Sequence, residues 1–224
     1  NLMKDLTLII PAKNEPESLP KVLNELKDYD VNIMIVLRKE DLETINNIKD
    51  FNCKITYQEG YGYGDALING ISLTTTKYFC IFNADGSFKP EELKNMYRMI
   101  ENTNNDFIFA SRYQKNSGSD DDTIITYVGN FIFTRLGNIF FNLKITDILY
   151  TYVLGKTEYA KKLKLKNKDF SFCVELPIKA SRHNMKLSSI SSYERKRIAG
   201  VKKPNAFKDG LLILISMILL FIKR

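Results

Sequence analysis

A carboxylate that could bind a metal ion follows an apolar stretch near the middle of the chain. Asp85 stands between the small residues Ala84 and Gly86, directly after the run YFCIF at 78–82. With small neighbours it can approach a hard cation such as Mg²⁺, which prefers few protein oxygens together with substrate phosphates. Because Asp and Gly are also common turn residues, Asp85 could instead stabilise the turn before Pro90. The sequence leaves both interpretations open.

Other polar segments also follow apolar runs, and one of them is rich in glycine. These segments are PAKNE at 11–15, RKE at 38–40, QEGYGYGDA at 58–66 and SRY at 111–113. Gly60, Gly62 and Gly64 would let backbone amides approach a phosphate at a helix N-terminus, or they could form a flexible turn. Their spacing matches neither GxGxxG nor GxxxxGK[ST], which argues against a dinucleotide fingerprint and a P-loop.

The apolar runs predict a mostly parallel sheet that would bring these segments together. The predicted strands are LTLII at 6–10, VNIMIVL at 31–37, YFCIF at 78–82 and a further strand at 106–110. Runs without alternation are typical of strands covered on both faces. The predicted helices lie at 17–27, 40–49, 64–73 and 90–101. This alternation favours an α/β fold with right-handed crossovers, in which ligands bind outside the carboxyl ends of the strands.

The second half of the chain contains a polar stretch and two apolar helices. Residues 111–123 include the acidic run Asp120–Asp122 and predict a mobile, solvated loop. Residues 124–143 have helical spacing with a broad, aromatic-rich stripe, which suits a packed helix or a membrane-facing one. The closing apolar run at 211–222 has twelve residues. A span needs about 20 residues, so an interfacial or core-docking helix is predicted.

Composition limits the classes of function. The 224 residues are 44% hydrophobic, which suits one main core, and the net charge of +7 suggests an anionic partner. Widely spaced cysteines without CxxC predict reduced core residues and a reducing cytoplasm. The single histidine, His183, leaves little material for a His-based zinc site or a Ser-His-Asp triad. The first apolar run is too short for a signal peptide, so none is expected.

Taken together, these segments resemble a family 2 glycosyltransferase with the GT-A fold, and within it the dolichyl-phosphate mannose or glucose synthase type. PAKNE resembles the family's P-x-x-N-E opening, and QEGYGYGDALINGI at 58–71 resembles its Q-x-G-x-G-x-A-x-x-x-G segment. NADGS at 83–87 stands at the D-x-D position, and ASRY at 110–113 matches G-S-R-Y. Residues 129–147 resemble an acceptor-side helix ending in Thr-Asp, and residues 194–210 resemble a basic closing segment. The order and spacing of these motifs make the resemblance specific.

The resemblance implies a division of the chain and a set of site residues. A glycosyltransferase domain is expected at 1–205, with a nucleotide-sugar half at 1–110, an acceptor half at 111–205 and a membrane-peripheral apolar helix at 206–224. The implied catalytic residues are Asp85, Asp147 and Arg112, and the implied Mg²⁺ or Mn²⁺ ligands are Asp85 and Ser87. The implied nucleotide-sugar contacts are Pro11, Ala12, Asn14, Glu15, Arg38, Gly60, Gly62, Gly64, Asn83, Ala84 and Asp85. The implied phosphate or acceptor contacts are Arg112, Arg135, Arg195, Arg197 and Lys203.

The sequence departs from the family pattern at three places. Asn83 replaces the first Asp of D-x-D, so Asp85 must do most of the metal binding. The stretch Leu37–Asp41 replaces the usual Asp-Asp-Gly-Ser after the second strand, which leaves the choice among UDP, GDP and other donors open. Lys202 replaces the serine of Ser-Lys.

The implied reaction is metal-dependent, inverting transfer of a hexose from UDP- or GDP-hexose to a polyprenyl phosphate, by an enzyme peripheral to the cytoplasmic face of the membrane. A phosphate acceptor is already ionised, whereas a hydroxyl acceptor needs a general base. Asp147 is the candidate base, or it anchors the helix end or positions the acceptor. The basic stretch at 195–208 suits a pyrophosphate or phosphate, a lipid-headgroup patch or a solvated loop.

Three other functions stay open, with decreasing support. Transfer to a saccharide hydroxyl would use the same donor site. A sugar nucleotidyltransferase would place a glycine-rich signature near the first strand, where this chain has PAKNE. A basic nucleic-acid-binding module would carry an RRM, KH or zinc-finger pattern, and the sequence shows none, so no nucleic-acid partner is expected.

Overall fold

The computed structural model describes residues 3–199 and 205–223. Its strands are β1 (Leu6–Pro11), β2 (Asn32–Leu37), β3 (Lys54–Tyr57), β4 (Tyr78–Ile81), β5 (Phe107–Ser111), β6 (Gly118–Ser119), β7 (Val153–Lys156), β8 (Leu187–Ser191) and β9 (Tyr193–Glu194). Its helices are α1 (Ser18–Leu26), α2 (Leu42–Ile48), α3 (Tyr63–Leu73), α4 (Glu92–Asn102), α5 (Ile124–Phe141), α6 (Thr157–Lys162), α7 (Phe172–Arg182) and α8 (Ala206–Ile222). The strands and helices predicted from sequence are found, with ends shifted by a few residues.

A mostly parallel seven-stranded sheet forms the centre of the fold, in the order β3-β2-β1-β4-β7-β5-β8. Strand β7 is antiparallel to both of its neighbours, β4 and β5, and the other pairs in this sheet are parallel. Because β7 runs in the opposite direction, the loop that precedes it lies at the carboxyl ends of β4 and β5. That loop therefore joins the predicted ligand-binding edge. The predicted mostly parallel α/β fold is confirmed.

Both faces of the sheet are covered by apolar layers. Along β1, Leu8 and Ile10 belong to the layer that includes α1 and α4, whereas Ile9 belongs to the layer that includes α3 and α7. Burial on both faces explains why the strand sequences are continuously apolar. Cys80 and Cys173 are buried, Cys53 is partly buried, and all three are free thiols. This arrangement confirms the prediction of reduced cysteines packed in the core.

Residues 111–123 form a loop, as predicted, and its mobility stays a prediction. The acidic side chains of this loop contact other residues of the domain, so the prediction of a solvated acidic run is wrong. Strand β6 lies in this stretch and pairs with the distant β9 in parallel. The Tyr193 hydroxyl donates to Asp120 at 2.6 Å, and Arg197 donates to Asp121 at 2.9 Å. Asp122 accepts a hydrogen bond from the Tyr113 hydroxyl. Local composition could not reveal these partners, because two of them lie more than 70 positions along the chain.

Helix α5 packs against the domain through the polar residues of one face. The Asn130 side chain accepts from the Leu149 amide at 3.0 Å, and the Thr134 hydroxyl accepts from the Ile148 amide at 3.2 Å. Among the described residues, α5 is long and apolar enough to cross a membrane by length and composition. Its hydrogen bonds to the 148–149 backbone favour a helix that lies on the domain. Helix α8 packs beside it, where Phe221 contacts Phe140 with ring centroids 5.6 Å apart.

The glycines before α3 allow a close approach of the chain's own backbone. A Cβ atom at Gly62, whose φ is +106°, would lie 2.2 Å from the Lys168 carbonyl oxygen. One at Gly64 would lie 2.1 Å from the Asn167 carbonyl oxygen. The Asp65 amide donates to the Lys168 carbonyl at 2.9 Å. The contacts of Gly62 and Gly64 are therefore structural, and their predicted part in nucleotide-sugar binding stays a prediction.

Replacing Gly64 with alanine should destabilise the protein by about 2–3 kcal/mol, because the added methyl meets backbone carbonyls that cannot move independently. Gly129 is the matched control, since a Cβ there meets nothing within 4 Å inside α5. Gly129→Ala should raise the free energy of unfolding by about 0.5–1 kcal/mol. Urea denaturation of both variants measures the difference. Equal stabilities would contradict the described packing of residues 167–169.

Candidate active site

Asp85 is the centre of the candidate site at the carboxyl edge of the sheet. Its Oδ1 atom accepts from the Ser87 amide at 3.0 Å and from the Ser87 hydroxyl at 2.7 Å. Gly86 has a φ of +82°, which turns the chain sharply between them. The Oδ2 atom faces Arg197, whose Nη2 is 3.6 Å away. Oδ1 therefore stabilises the turn, as one of the two interpretations predicted, and metal binding through Oδ2 stays a prediction.

The residues around Asp85 suit a hard metal ion that also binds a ligand. Ser87 is buried and its hydroxyl is directed at Asp85, so it supports the carboxylate instead of offering a separate metal contact. Within residues 3–199 and 205–223, no group of three or more His, Cys, Asp and Glu side chains could hold a metal ion. One carboxylate supplemented by substrate phosphates is the arrangement that Mg²⁺ favours. A structural zinc site would require a fuller set of protein ligands.

Asn83 and Ala84 lie in the same turn but have different surroundings. The side-chain Oδ1 atom of Asn83 accepts a hydrogen bond from the Tyr63 hydroxyl at 3.3 Å. The Tyr63 hydroxyl also contacts the Thr151 hydroxyl at 2.7 Å, which ties β4, α3 and the loop before β7 together. Ala84 is buried. Tyr63 and Thr151 were missed from the sequence, where nothing marks them as neighbours of residue 83.

Residues 194–198, here called the strap, cross the Asp85 turn. The Arg195 amide donates to the Ser87 carbonyl at 2.8 Å, and the Ile198 amide donates to the Asp85 carbonyl at 2.8 Å. A Cβ at Gly86 would lie 2.4 Å from Ile198 Cδ1, so a side chain at this position would displace the side chain of Ile198. These contacts fix the directions in which the two arginines of the strap extend.

The strap brings Arg197, but not the Arg195 guanidinium, to Asp85. Arg195 binds Glu25 at 2.7 Å and the Phe88 carbonyl at 2.9 Å, so its guanidinium is engaged beside α1. Arg197 lies between Asp85 and Asp121. Partial burial lowers the pKa of Arg197, but the Asp121 hydrogen bond and the Asp85 charge raise it above its usual range. Arg197 therefore stays cationic at the edge of the site.

Arg112 is engaged inside the protein, which corrects the prediction that it faces a phosphate. Its Nε and Nη2 atoms donate to the two Asp147 oxygens at 2.8 and 3.1 Å, and Nη1 donates to Glu194 at 3.1 Å. Burial lowers the pKa of Arg112, but the neighbouring charges, led by Asp147, raise it well above its usual range. The physical reason is that two buried carboxylates require a cation between them.

Asp147 is completely buried at the same centre. In addition to Arg112, its oxygens accept from the Arg112 amide at 3.0 Å and from the Tyr150 amide at 3.2 Å. Of the interpretations left open by the sequence, these contacts support an anchor for the loop before β7. They do not present the carboxylate to an acceptor hydroxyl.

The PAKNE segment is held in place by residues that follow β2. The Asn14 amide donates to Asp41 at 2.7 Å with Asn14 at a φ of +52°, and the Glu15 amide donates to Thr44 at 3.0 Å. Pro11 ends β1, and the Ala12 amide donates to the Val36 carbonyl at 2.9 Å, so this pair continues the sheet. Asp41 and Thr44 were missed, although their position after the second strand could have indicated them.

Arg38 forms a flat surface with an aromatic residue that was also missed. Its guanidinium lies 3.9 Å from the Tyr61 ring centroid and donates to the Gly60 carbonyl at 3.1 Å. Tyr61 is 74% exposed. A guanidinium on an aromatic ring holds that ring in place. The sequence signal was an aromatic residue between Gly60 and Gly62.

Two predicted phosphate contacts are not brought to Asp85 by the described structure. Arg135 lies exposed on α5, with its guanidinium 5.4 Å from the Phe131 ring centroid. Lys203 lies outside the described residues, as does the Lys202 position. Their predicted phosphate or acceptor contacts stay predictions.

Comparisons with known proteins agree with this architecture. The family model described as "Glycosyl transferase family 2" matches residues 7–164. The uncharacterized protein MJ1222 of Methanocaldococcus jannaschii is 22% identical over 193 residues, which cover 83% of this chain and 79% of that protein. A second protein of that organism, MJ0544, is 25% identical over 173 residues, with coverages of 70% and 73%.

Solved structures share the fold at low sequence identity. Glucosyl-3-phosphoglycerate synthase from Mycobacterium tuberculosis in complex with UDP has a TM-score of 0.75 and 12% identity, covering 98% of this chain and 80% of that chain. The same enzyme with Mn²⁺, UDP and glucosyl-3-phosphoglycerate has a TM-score of 0.74 and 12% identity, with coverages of 96% and 80%. At this identity the likeness shows a shared fold.

Replacing Asp147 with asparagine should destabilise the protein by about 3–5 kcal/mol, because Arg112 would lose its bidentate partner in a buried site. The control is Glu158→Gln, which breaks the exposed ion pair with Lys161. It should cost about 1 kcal/mol or less. Urea denaturation gives both values. An Asp147→Asn variant with unchanged stability and abolished sugar transfer would restore the general-base interpretation.

Proposed function

Because the chain belongs to glycosyl transferase family 2, we propose that it transfers a hexose from a nucleoside diphosphate sugar to a polyprenyl phosphate, inverting the anomeric configuration. This is the dolichyl-phosphate mannose or glucose synthase type of reaction. The observation that carries the proposal is the outward Oδ2 of Asp85 with the Arg197 guanidinium beside it at the carboxyl edge of the sheet. A carboxylate for a metal and a fixed cation are what a leaving diphosphate requires.

Asp85 would hold Mg²⁺ or Mn²⁺ together with the donor's phosphates. The bound ion would supply Lewis-acid stabilisation of the charge that develops on the departing diphosphate. The mycobacterial enzyme of similar fold has structures with Mn²⁺ or Mg²⁺ and UDP, which supports this choice of ions. Ser87 keeps the Asp85 carboxylate oriented, and Arg197 adds a permanent positive charge at the rim.

The donor's nucleotide would lie along the 1–110 half, between PAKNE and the Tyr61 ring. Tyr61 offers an exposed aromatic surface held by Arg38, on which a nucleobase can stack. Pro11, Ala12, Asn14 and Glu15 border the same edge. Stacking accepts any base, so the surface fits both UDP- and GDP-hexose.

The burial of Asp147 and its ion pair with Arg112 favour a phosphate acceptor over a hydroxyl acceptor. A hydroxyl needs a general base to remove its proton, and the candidate base is buried against Arg112. The phosphate of a polyprenyl lipid is already ionised at neutral pH and attacks without a base. The acceptor would approach from the 111–205 half.

An exposed apolar surface on α5 and α8, here called the α5–α8 face, supports a lipid acceptor and peripheral membrane contact. Its most exposed side chains are Ile124, Ile139, Phe207 and Ile222, each at least 70% exposed. The basic residues Arg135, Lys208 and Lys223 lie on the same two helices or at their ends. Apolar side chains with flanking cations suit an interface that contains anionic lipids. We propose that this contact is made at the cytoplasmic face of the membrane.

The decisive assay combines the full chain, Mn²⁺, labelled UDP- or GDP-hexose and undecaprenyl phosphate in detergent. We expect a lipid-linked sugar, and Asp85→Asn should reduce its formation about 100-fold or more, because the metal loses its charged ligand. Asp28→Asn, an exposed carboxylate outside the site, is the control and should be unaffected.

The acceptor half of the proposal is tested separately in the same assay. Parallel reactions contain 3-phosphoglycerate or an oligosaccharide in place of the lipid. If sugar is transferred to either of these and no lipid product forms, the proposed polyprenyl phosphate acceptor is wrong. The proposed donor site would not be affected by that result. Full activity of Asp85→Asn would contradict the donor site itself.

The double variant Ile139→Glu, Ile222→Glu should bind anionic vesicles at least about tenfold more weakly, because each burial of such a side chain is worth about 1.5–3 kcal/mol. Leu42→Glu is the control, since Leu42 is 63% exposed at the start of α2. Co-sedimentation with phosphatidylglycerol vesicles measures binding. The proposal would be contradicted if the wild-type chain does not bind vesicles but forms a dimer, and if the double variant is a monomer. The α5–α8 face would then be the contact with a second copy of the chain.

A further inference from the structure

Arg197 is shared between two carboxylates at the rim of the candidate site. Its Nη2 atom is 2.9 Å from Asp121 Oδ2 and 3.6 Å from Asp85 Oδ2. The three side chains are 15–18% exposed, so solvent screens them only in part. Arg197 is close enough to both carboxylates to be attracted by each of them.

The Asp85 oxygen that faces Arg197 is also the oxygen that a metal would use. Oδ1 already accepts two hydrogen bonds from Ser87, which leaves Oδ2 as the outward atom. A guanidinium and a divalent cation repel each other if both contact one oxygen. Arg197 therefore opposes metal binding while its guanidinium contacts Asp85. Beside the bound metal, however, the same guanidinium would help to hold a diphosphate.

Asp121 is held firmly enough to act as the second partner of Arg197. Its amide donates to the Ser119 hydroxyl at 3.1 Å, and that hydroxyl donates to Glu194. Glu194 binds the buried Arg112, and β6 pairs with β9 in this region. The position of Asp121 is thus fixed through the buried network, independently of Arg197.

We propose that Asp121 is a positioning residue that retains Arg197 at the rim when a divalent cation takes Asp85, so that the guanidinium turns to the donor's diphosphate. This inference rests on the proposed function and adds to it an exchange of partners. Arg197 moves from sharing Asp85 to sharing the diphosphate, with Asp121 as its fixed partner in both arrangements.

The exchange predicts that Arg197→Gln changes two affinities in opposite directions. Mn²⁺ alone, titrated by electron paramagnetic resonance, should bind roughly fivefold more tightly, because a competing cation of a partly exposed ion pair is gone. UDP or GDP with saturating Mn²⁺, titrated by calorimetry, should bind at least about tenfold more weakly, because a charged hydrogen-bond donor is lost. A purely structural arginine would weaken both affinities or neither.

Asp121→Asn tests the positioning residue directly. With Asp121 neutral, Arg197 pairs with Asp85 alone, so Mn²⁺ should bind roughly fivefold more weakly. The double variant Asp121→Asn, Arg197→Gln should match Arg197→Gln within about twofold, since the effect acts through Arg197. Asp121→Glu should restore Mn²⁺ affinity. The control is Asp120→Asn, whose described partner is the Tyr193 hydroxyl, and it should leave Mn²⁺ binding unchanged.

The Asp85→Asn variant separates failure of this inference from failure of the proposed function. Equal Mn²⁺ binding by the wild type and Asp85→Asn would overturn the proposed site. Loss of Mn²⁺ binding in Asp85→Asn, together with unchanged or weaker binding in Arg197→Gln, would overturn the exchange alone. Thermal unfolding verifies that each variant is folded, and Arg197→Lys, which keeps the charge, should fall between wild type and Arg197→Gln in both titrations.

Discussion

The buried ion pairs of Arg112 with Asp147 and Glu194 are the constraint on which the functional edge depends. Arg112 follows β5, Asp147 lies in the loop before β7, and Glu194 begins the strap. A charge removed from water is tolerated only when it is paired and hydrogen-bonded. Each of these segments therefore needs the other two to adopt its position in the structure. Because the strap then crosses the Asp85 turn, this buried network helps to determine where Arg197 lies.

Much of the structure of residues 6–110 could be predicted from sequence because its signals are local. The runs at 6–10, 31–37 and 78–82 are continuously apolar, and burial on both sheet faces requires that pattern. The turn chemistry of Asp85 and Gly86 is also local, since the carboxylate bonds its own neighbour Ser87. These features depend on residues a few positions apart, which a single sequence displays directly.

The structure of the described residues after 111 was less predictable because it depends on distant partners. Strand β8 reads LSSIS, which lacks a strong apolar pattern, and it forms because β5 offers a parallel edge over five residue pairs. Helix α7 contains Pro177, which usually indicates a break, yet it lies buried under the sheet. The role of Arg112 could not be read from the ASRY motif, since its partners lie 35 and 82 positions away.

The asparagine at position 83 is consistent with a site that uses a single carboxylate. Its side-chain oxygen accepts from the Tyr63 hydroxyl, and an aspartate could accept the same bond. An aspartate at position 83 would, however, place a second negative charge in the turn that carries Asp85, and the two like charges would repel each other. Asn83 keeps the hydrogen bond between β4 and α3 and omits the charge. The metal would then depend on the donor's phosphates for its remaining ligands, so metal and donor binding should reinforce each other.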